Sequence, residues 1–347
     1  MSSAPPAFDR IPLSAEVAET PLVSDIDRLA QCCKAAGEAL RLEILRALRN
    51  DSFGVLELSE IFNVRQSGMS HHLKVLSKAS LVSTRREGNS IFYRRALTDP
   101  CSPLGEFSKA LFQAVDHTEL SSTVHANIET VKSQRSEAAR EFFNRIAEEL
   151  NQQQELIVPP EHYLDSARAI LDHCPPCTNG VALEIGPGDG RFLATLASRF
   201  QTVIALDISE EMLARAQHFC EQEQLDNIQF LRGDTHHAQQ HLVEQKGIRA
   251  DRIICNMVLH HVPSPADVFN DAAKLLNEGG SLIVTDLCRH TQHWARERCG
   301  DLWLGFEPED LTDWACAAGL ACQEELYLGL RNGFQVQVRR FDKLAIP

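Results

Sequence analysis

Five apolar runs of strand length recur between residues 181 and 287: "VALEIG", "TVIALDIS", "IQFLRGD", "RIICNMV" and "SLIVTDL". Helical stretches separate them, around 190–199, 209–223, 236–246 and 265–276. Nearly continuous hydrophobic strands alternating with helices predict a parallel sheet covered on both faces, an α/β architecture. Ligands in such sheets bind beyond the carboxyl ends of the strands. The candidate binding residues of this half stand at those ends.

The first strand runs into "EIGPGDGRF", with glycines at 186, 188 and 190. Glycine lets the backbone pass close to a ligand and turn into a helix. A dinucleotide fingerprint, G-x-G-x-x-G, would need glycine at 191, which is Arg191. No Gly-Lys-Ser/Thr follows to hold a triphosphate. The turn therefore suits a nucleoside without phosphates. Asp207 and Ile208 close the second strand, where a carboxylate accepts hydrogen bonds from ribose hydroxyls. Asp234 follows the third strand, and Asn256 ends the fourth. Each acid has an alternative reading as a helix cap, but three consecutive strand ends carry such residues.

The N-terminal half reads differently. Residues 1–24 are rich in Ser, Ala and Pro without apolar periodicity, which predicts a disordered tail. From 25 to 100 the pattern is helix, helix, turn, helix, then a basic hairpin. Leu40, Ile44, Leu45 and Leu48 share a stripe after a break at Gly37, and Met69, Leu73 and Leu76 form another. The opposite face of that last helix offers Gln66, Ser67, Ser70, His71, His72 and Lys74. The hairpin "LVSTRREGNSIFYRRAL" carries Arg85, Arg86, Arg94 and Arg95. Small and amide side chains reach base edges, and arginines hold phosphates, so the pattern predicts a winged helix-turn-helix.

Charge agrees with this division. The 347-residue chain carries a net charge of −14, yet residues 65–95 hold seven Lys and Arg against one acid. A local basic face on an acidic chain fits a discrete nucleic-acid-binding domain. Residues 101–158 read as a helical connector and dimerisation segment, with Phe142, Ile146 and Leu150 on one stripe. The prolines at 159–160 are expected to end it. Residues 159–347 form the second domain. The chain lacks an apolar run long enough to cross a bilayer, MSSAPPAFDR lacks a signal-peptide pattern, and the 11 cysteines are scattered. These features predict a cytoplasmic protein away from membranes.

The strings "AAGEALRLEILRAL" and "LSEIFNVRQSGMSHHLKVLSKASLVSTRREGNSIFYRRAL" resemble the ArsR-type winged-helix repressors over about residues 26–100. That resemblance implies operator binding as a homodimer, usually with repression. The strand-end residues, with "CNMVLHHVPSPADVFNDAAKLLNEGGSLIVTDL", resemble class I methyltransferases dependent on S-adenosylmethionine (SAM), closest to the ubiquinone/menaquinone-type group. This implies a Rossmann-like, seven-stranded, mostly parallel sheet. It also implies that Glu184 and Gly186, Gly188 and Gly190 hold the methionine part, Asp207 the ribose and Asp234 the adenine. Asn256 would line the methyl-transfer side. The ligand implied is SAM or its product S-adenosylhomocysteine (SAH).

Catalytic groups are less defined. His260 and His261 follow Asn256 and either reach the pocket as a base or pack the next helix. No Asn-Pro-Pro-Tyr follows the fourth strand, which disfavours methylation of DNA bases. The segment 294–320 is expected to form part of a lid. The thiolate motif of ArsR-type metal sensors is absent, and Cys174 with Cys177 lacks a second pair, so no metal is expected. Two main readings stay open: a transcriptional regulator sensing SAM or SAH, and an active small-molecule methyltransferase with an autoregulatory DNA-binding domain. A metalloregulator with an idle second domain lacks the ligands it needs.

Overall fold

The computed structural model describes residues 24–49, 51–87, 90–96, 102–146, 157–175, 177 and 180–344. The tail read over 1–24 and the apolar position 150 lie outside this set, apart from Ser24. Ser24 caps the first helix, its hydroxyl accepting from the Asp27 amide.

Helices Asp25–Ala36 and Ala39–Ala47 break at Gly37, as the sequence predicts. The short β1 (Phe53–Gly54) leads into helix Val55–Ile61, and the recognition helix follows at Gln66–Lys78. The wing is β2 (Val82–Glu87) and β3 (Ser90–Arg95), in a sheet of order β1-β3-β2. Ile44, Leu45, Leu48, Met69, Leu73 and Leu76 are fully buried in one core. These are the positions that helical spacing selects.

Two helices connect the domains: Pro103–Asp116 and the connector helix Ser122–Ile146. The connector helix is 25 residues long and spans about 37 Å at 1.5 Å per residue. Its first half contributes Ile128 and Val131 to the winged-helix core. Its second half packs Phe142 and Phe143 on Met212 of the other domain. Pro160 opens a further helix, Pro160–Asp172, at a position where its missing N–H costs nothing.

The second domain is built on a seven-stranded sheet: β4 (Val181–Ile185), β5 (Thr202–Asp207), β6 (Ile228–Arg232), β7 (Ala250–Asn256), β8 (Leu276–Leu287), β9 (Leu320–Gly329) and β10 (Gln335–Lys343). The order is β6-β5-β4-β7-β8-β10-β9. Pairings from β6 through β8 are parallel, and β10 runs antiparallel to β8 and β9. One apolar core lies on each face. The chain moves outward from β4 to β6, then returns to the far side of β4 at β7. That reversal opens a crevice above the ends of β4 and β7. Among the described residues no helix is long and apolar enough to cross a membrane.

Candidate functional site

The crevice is the mouth of a cavity of about 1230 Å³. Its floor is the turn after β4. Gly186 sits at φ +64°, and an added Cβ would lie 2.5 Å from Val258 Cγ2. Gly190, at φ +87°, leaves room for the Ala216 backbone at 3.2 Å. Both positions thus require glycine for conformation and for space. On the facing strand end Met257 holds φ +55°, an uncommon conformation for a bulky residue, with its amide donating to the Thr285 carbonyl at 2.7 Å.

The polar groups around this floor converge. Glu184 is 2% exposed, and its Oε2 has no hydrogen-bond partner. Asn256 is likewise buried, with its side chain against the Glu184 carboxyl. Burial, reinforced by Asp189, holds the Glu184 carboxyl well above the usual carboxylate range. Unsatisfied buried polar atoms are costly and mark places where a bound group completes the hydrogen bonding. Asp207 lies at the end of β5. Burial raises its carboxyl to about 6, against the stabilising amides of Ser209 and Ile208. Its Oδ1 accepts from the Ser209 amide at 2.8 Å. Asp234 both lines the cavity and caps the following turn, accepting from the His237 amide at 2.8 Å. The site and cap readings of that residue therefore coexist.

The structure brings Glu184, Gly186, Gly188, Asp207, Ile208, Asp234 and Asn256 to the cavity, while Gly190 lies outside its lining and packs against Ala216 and Phe219. The two histidines, ring centres 4.0 Å apart, both border a small internal void beside Tyr163 and Cys299, but only His261 also borders the cavity. His260 Nδ1 lies 2.8 Å from Asp286 Oδ1. Burial opposes charge on His260, but Asp286 and Asp301 prevail and hold its pKa up to about 9. His261 is driven well below its ordinary value by burial and by the neighbouring His260 charge, so it is neutral. Its ring meets the edge of Phe143 at 4.7 Å. His260, His261 and Asp301 also place potential ligand atoms within 4.8 Å of one another.

Sequence reasoning missed the opposite wall. Ser133, Ser136, Ala139 and Phe143 of the connector helix line the cavity. Small side chains at 133, 136 and 139 recur at helical spacing, a signal readable in retrospect. Nothing in the sequence says which domain they face.

The DNA-reading candidates divide as well. Gln66, Ser67, Ser70, His71 and Lys74 are exposed along the recognition helix. His72 is not among them: it turns inward, Nδ1 lying 3.6 Å from Glu38. The wing differs more from expectation. Arg86 is exposed, but Arg85 is 6% exposed and donates to the Gly305 carbonyl. Arg94 pairs with Asp310, and Arg95 forms a two-pronged pair with Asp116. The segment 294–320 divides between two places. Ala317, Ala318 and Gly319 line the cavity, while Trp303, Gly305 and Asp310 face the wing.

Comparisons with known proteins agree with this two-part architecture. Residues 39–84 match the family described as bacterial regulatory protein, arsR family, and residues 178–327 match a methyltransferase domain. The chain thus joins an ArsR-family helix-turn-helix domain to a methyltransferase domain. Among curated relatives, the ubiquinone biosynthesis O-methyltransferase of Coxiella burnetii is 28% identical over 151 residues, 40% of this chain and 62% of the relative. That of Hydrogenovibrio crunogenus is 31% identical over 113 residues, 32% of this chain and 44% of the relative. The chain therefore spans less than two thirds of the curated relatives it matches. A solved magnesium protoporphyrin IX methyltransferase of Synechocystis PCC 6803, with bound SAH, aligns at 18% identity and a TM-score of 0.46, covering 60% of this chain and 99% of that one.

Proposed function

We propose that this protein is a DNA-binding transcriptional regulator, acting as a cytoplasmic homodimeric repressor, whose methyltransferase domain binds SAM or SAH and ties DNA affinity to methyl-cycle status. The observation that carries this reading is the connector helix, which belongs to both halves. Ile128 and Val131 sit in the winged-helix core, while Ser136 and Phe143 wall the cavity. A ligand in that cavity touches the helix that helps build the DNA-reading domain. Coupling needs only that the ligand prefer one arrangement of the two domains.

The donors and acceptors of the cavity fit the nucleoside. The unpartnered Glu184 Oε2 suits the amino group of the methionine part, and the glycine floor admits its backbone-close approach. Asp207 is placed for ribose hydroxyls and Asp234 for the adenine edge. When bound, SAM supplies an electrophilic methyl on a sulfonium, which SAH lacks. The chain's own residues bind and orient: Asn256 lines the reacting side, and Phe143 covers it.

An active methyltransferase remains the second reading, and one observation favours it. The cavity exceeds the ~300–1,000 Å³ usual for a single small-molecule site, and neutral His261 borders it. Room beside the nucleoside is what an acceptor substrate needs, while burial leaves His261 a weak base.

The test is fluorescence anisotropy of the full-length protein on DNA from its own promoter, titrated separately with SAH and SAM. A shift of the binding curve at micromolar ligand is the expected result. Tight DNA binding indifferent to both ligands would overturn the sensor reading, and turnover of SAM with an extract-derived acceptor would establish the second.

A further inference from the structure

We propose that the segment Trp303–Asp310 of the methyltransferase domain is a docking surface for the wing, one that competes with DNA phosphates for Arg85 and Arg94. The proposal rests on the wing being a DNA contact, as in the function proposed above.

The contacts match a phosphate site in chemistry. Arg85 donates to the Gly305 carbonyl and lies 5.9 Å from the Trp303 ring centre and 5.5 Å from that of Phe306. Arg94 pairs with Asp310, whose side chain is 3% exposed. Phe92, between them on β3, meets Trp303 edge to face at 5.2 Å. Guanidinium groups find here an anionic oxygen, a carbonyl oxygen and aromatic faces. These are the partners that a guanidinium takes in place of a DNA backbone oxygen. One guanidinium held this way is withdrawn from DNA. Meanwhile Gln66, Ser67, Ser70, His71 and Lys74 stay exposed. The structure thus presents a reading helix without two of its phosphate anchors.

The joint is reinforced on both sides. Arg135 of the connector helix grips Glu57 with two nitrogens and donates to the carbonyls of Ser52 and Pro263, each at 3.1 Å. Lys132 bridges Asp51 at 3.0 Å and Asp267 at 2.6 Å. Each cation therefore ties the winged helix to the methyltransferase domain.

The docking surface also hangs on the wall of the cavity. The amides of Leu302 and Trp303 donate to the His260 carbonyl at 2.9 and 3.0 Å, and Trp303 Nε1 donates to the Val262 carbonyl at 2.8 Å. His261, between those two carbonyls, borders the cavity and touches Phe143. A nucleoside that orders the 259–262 turn and the connector helix holds the docking surface in place. Occupancy of the cavity then favours the docked wing and lowers DNA affinity.

The test uses Asp310→Asn in the full-length protein. Asparagine keeps an oxygen for the Glu307 amide, which Asp310 now accepts at 3.1 Å, while removing the charge that holds Arg94. The probe is a mixed-sequence duplex several helical turns long at low ionic strength, where phosphate contacts dominate binding. Releasing the wing should tighten apo binding by about fivefold or more, because a larger fraction of the protein is then binding-competent. Equal or weaker binding than wild type would overturn the docking proposal. Failure of both proteins to bind any duplex would overturn the DNA-binding reading itself. Hydrogen exchange on the wild-type chain gives a second readout without a mutation. Saturating duplex should deprotect the amides of Leu302, Trp303 and Phe306; unchanged or increased protection there would overturn the proposal.

Discussion

Asp207 shows how one side chain sets both affinity and its pH dependence. Burial raises its pKa to about 6, so at pH 7 it is an anion able to accept from ribose hydroxyls. Lowering the pH through 6 protonates it and removes that acceptor. Nucleoside affinity should therefore fall between pH 7 and pH 5, measured by calorimetry with SAH, and Asp207→Asn should flatten the fall. The folded pKa lies above the ~3.9 of an unfolded aspartate, so this group's contribution to apo stability declines as pH rises from about 4 to about 6. Gly186 makes a steric prediction. Gly186→Ala places a Cβ 2.5 Å from Val258 Cγ2 at φ +64° and should cost about 1–3 kcal/mol in denaturant unfolding, with loss of SAH binding. Both residues were legible in the sequence, because spacing after an apolar run locates a strand end and its turn. The wing arginines were legible only as charge. Arg85 and Arg94 are basic in any context, but their acceptors lie 220 and 216 residues away. Local pattern holds no trace of such a pairing. His72 differs, because it stands three residues after Met69 and four before Leu76, so helical phase alone already sets it beside the buried stripe and apart from His71.

The connector helix is the element on which the two halves depend. Its existence follows from its helix formers and periodicity, and the sequence showed it. Its double role did not follow, because the apolar stripe at Phe142 says that the helix packs and not on what. The small residues 133, 136 and 139 leave space that the cavity occupies, a feature visible only once the facing strands are in place. Prolines 159–160 were read as a stop, while Pro160 starts the next helix; the ring is compatible with both roles. Arg135 tests the element. Its guanidinium packs over Phe53, Phe92 and Trp303 as well as pairing with Glu57. Breaking a buried pair by removing one partner costs about 3–5 kcal/mol, and partial exposure of Glu57 places Arg135→Ala at or below the low end. Chemical denaturation should show that loss. The same variant should still bind SAH but transmit little of it to DNA, read as a reduced ligand-induced shift in anisotropy.

At the scale of the whole molecule, the two domains share more than a tether. The winged-helix core includes connector residues Ile128 and Val131, and the connector's far end is packed on Met212. Ser209, at the head of the next helix, donates to Asn144 Oδ1 at 2.7 Å, only two residues after Asp207. A ligand that fixes Asp207 is thus linked through a hydrogen bond to the helix that enters the DNA-reading domain. Domains joined by a loose linker unfold independently, and ligand stabilises only the one that binds it. Here the shared helix and the Arg135 and Lys132 bridges oppose that independence. The described chain should accordingly unfold in one calorimetric transition. SAH at about one hundred times its Kd should then stabilise the entire unit by about 2.7 kcal/mol. A winged helix that melts separately, at a temperature unmoved by SAH, would show that the contacts across the joint do not couple the halves. Arg135→Ala should shift the wild type toward that outcome by splitting the transition, with only the methyltransferase part responding to ligand.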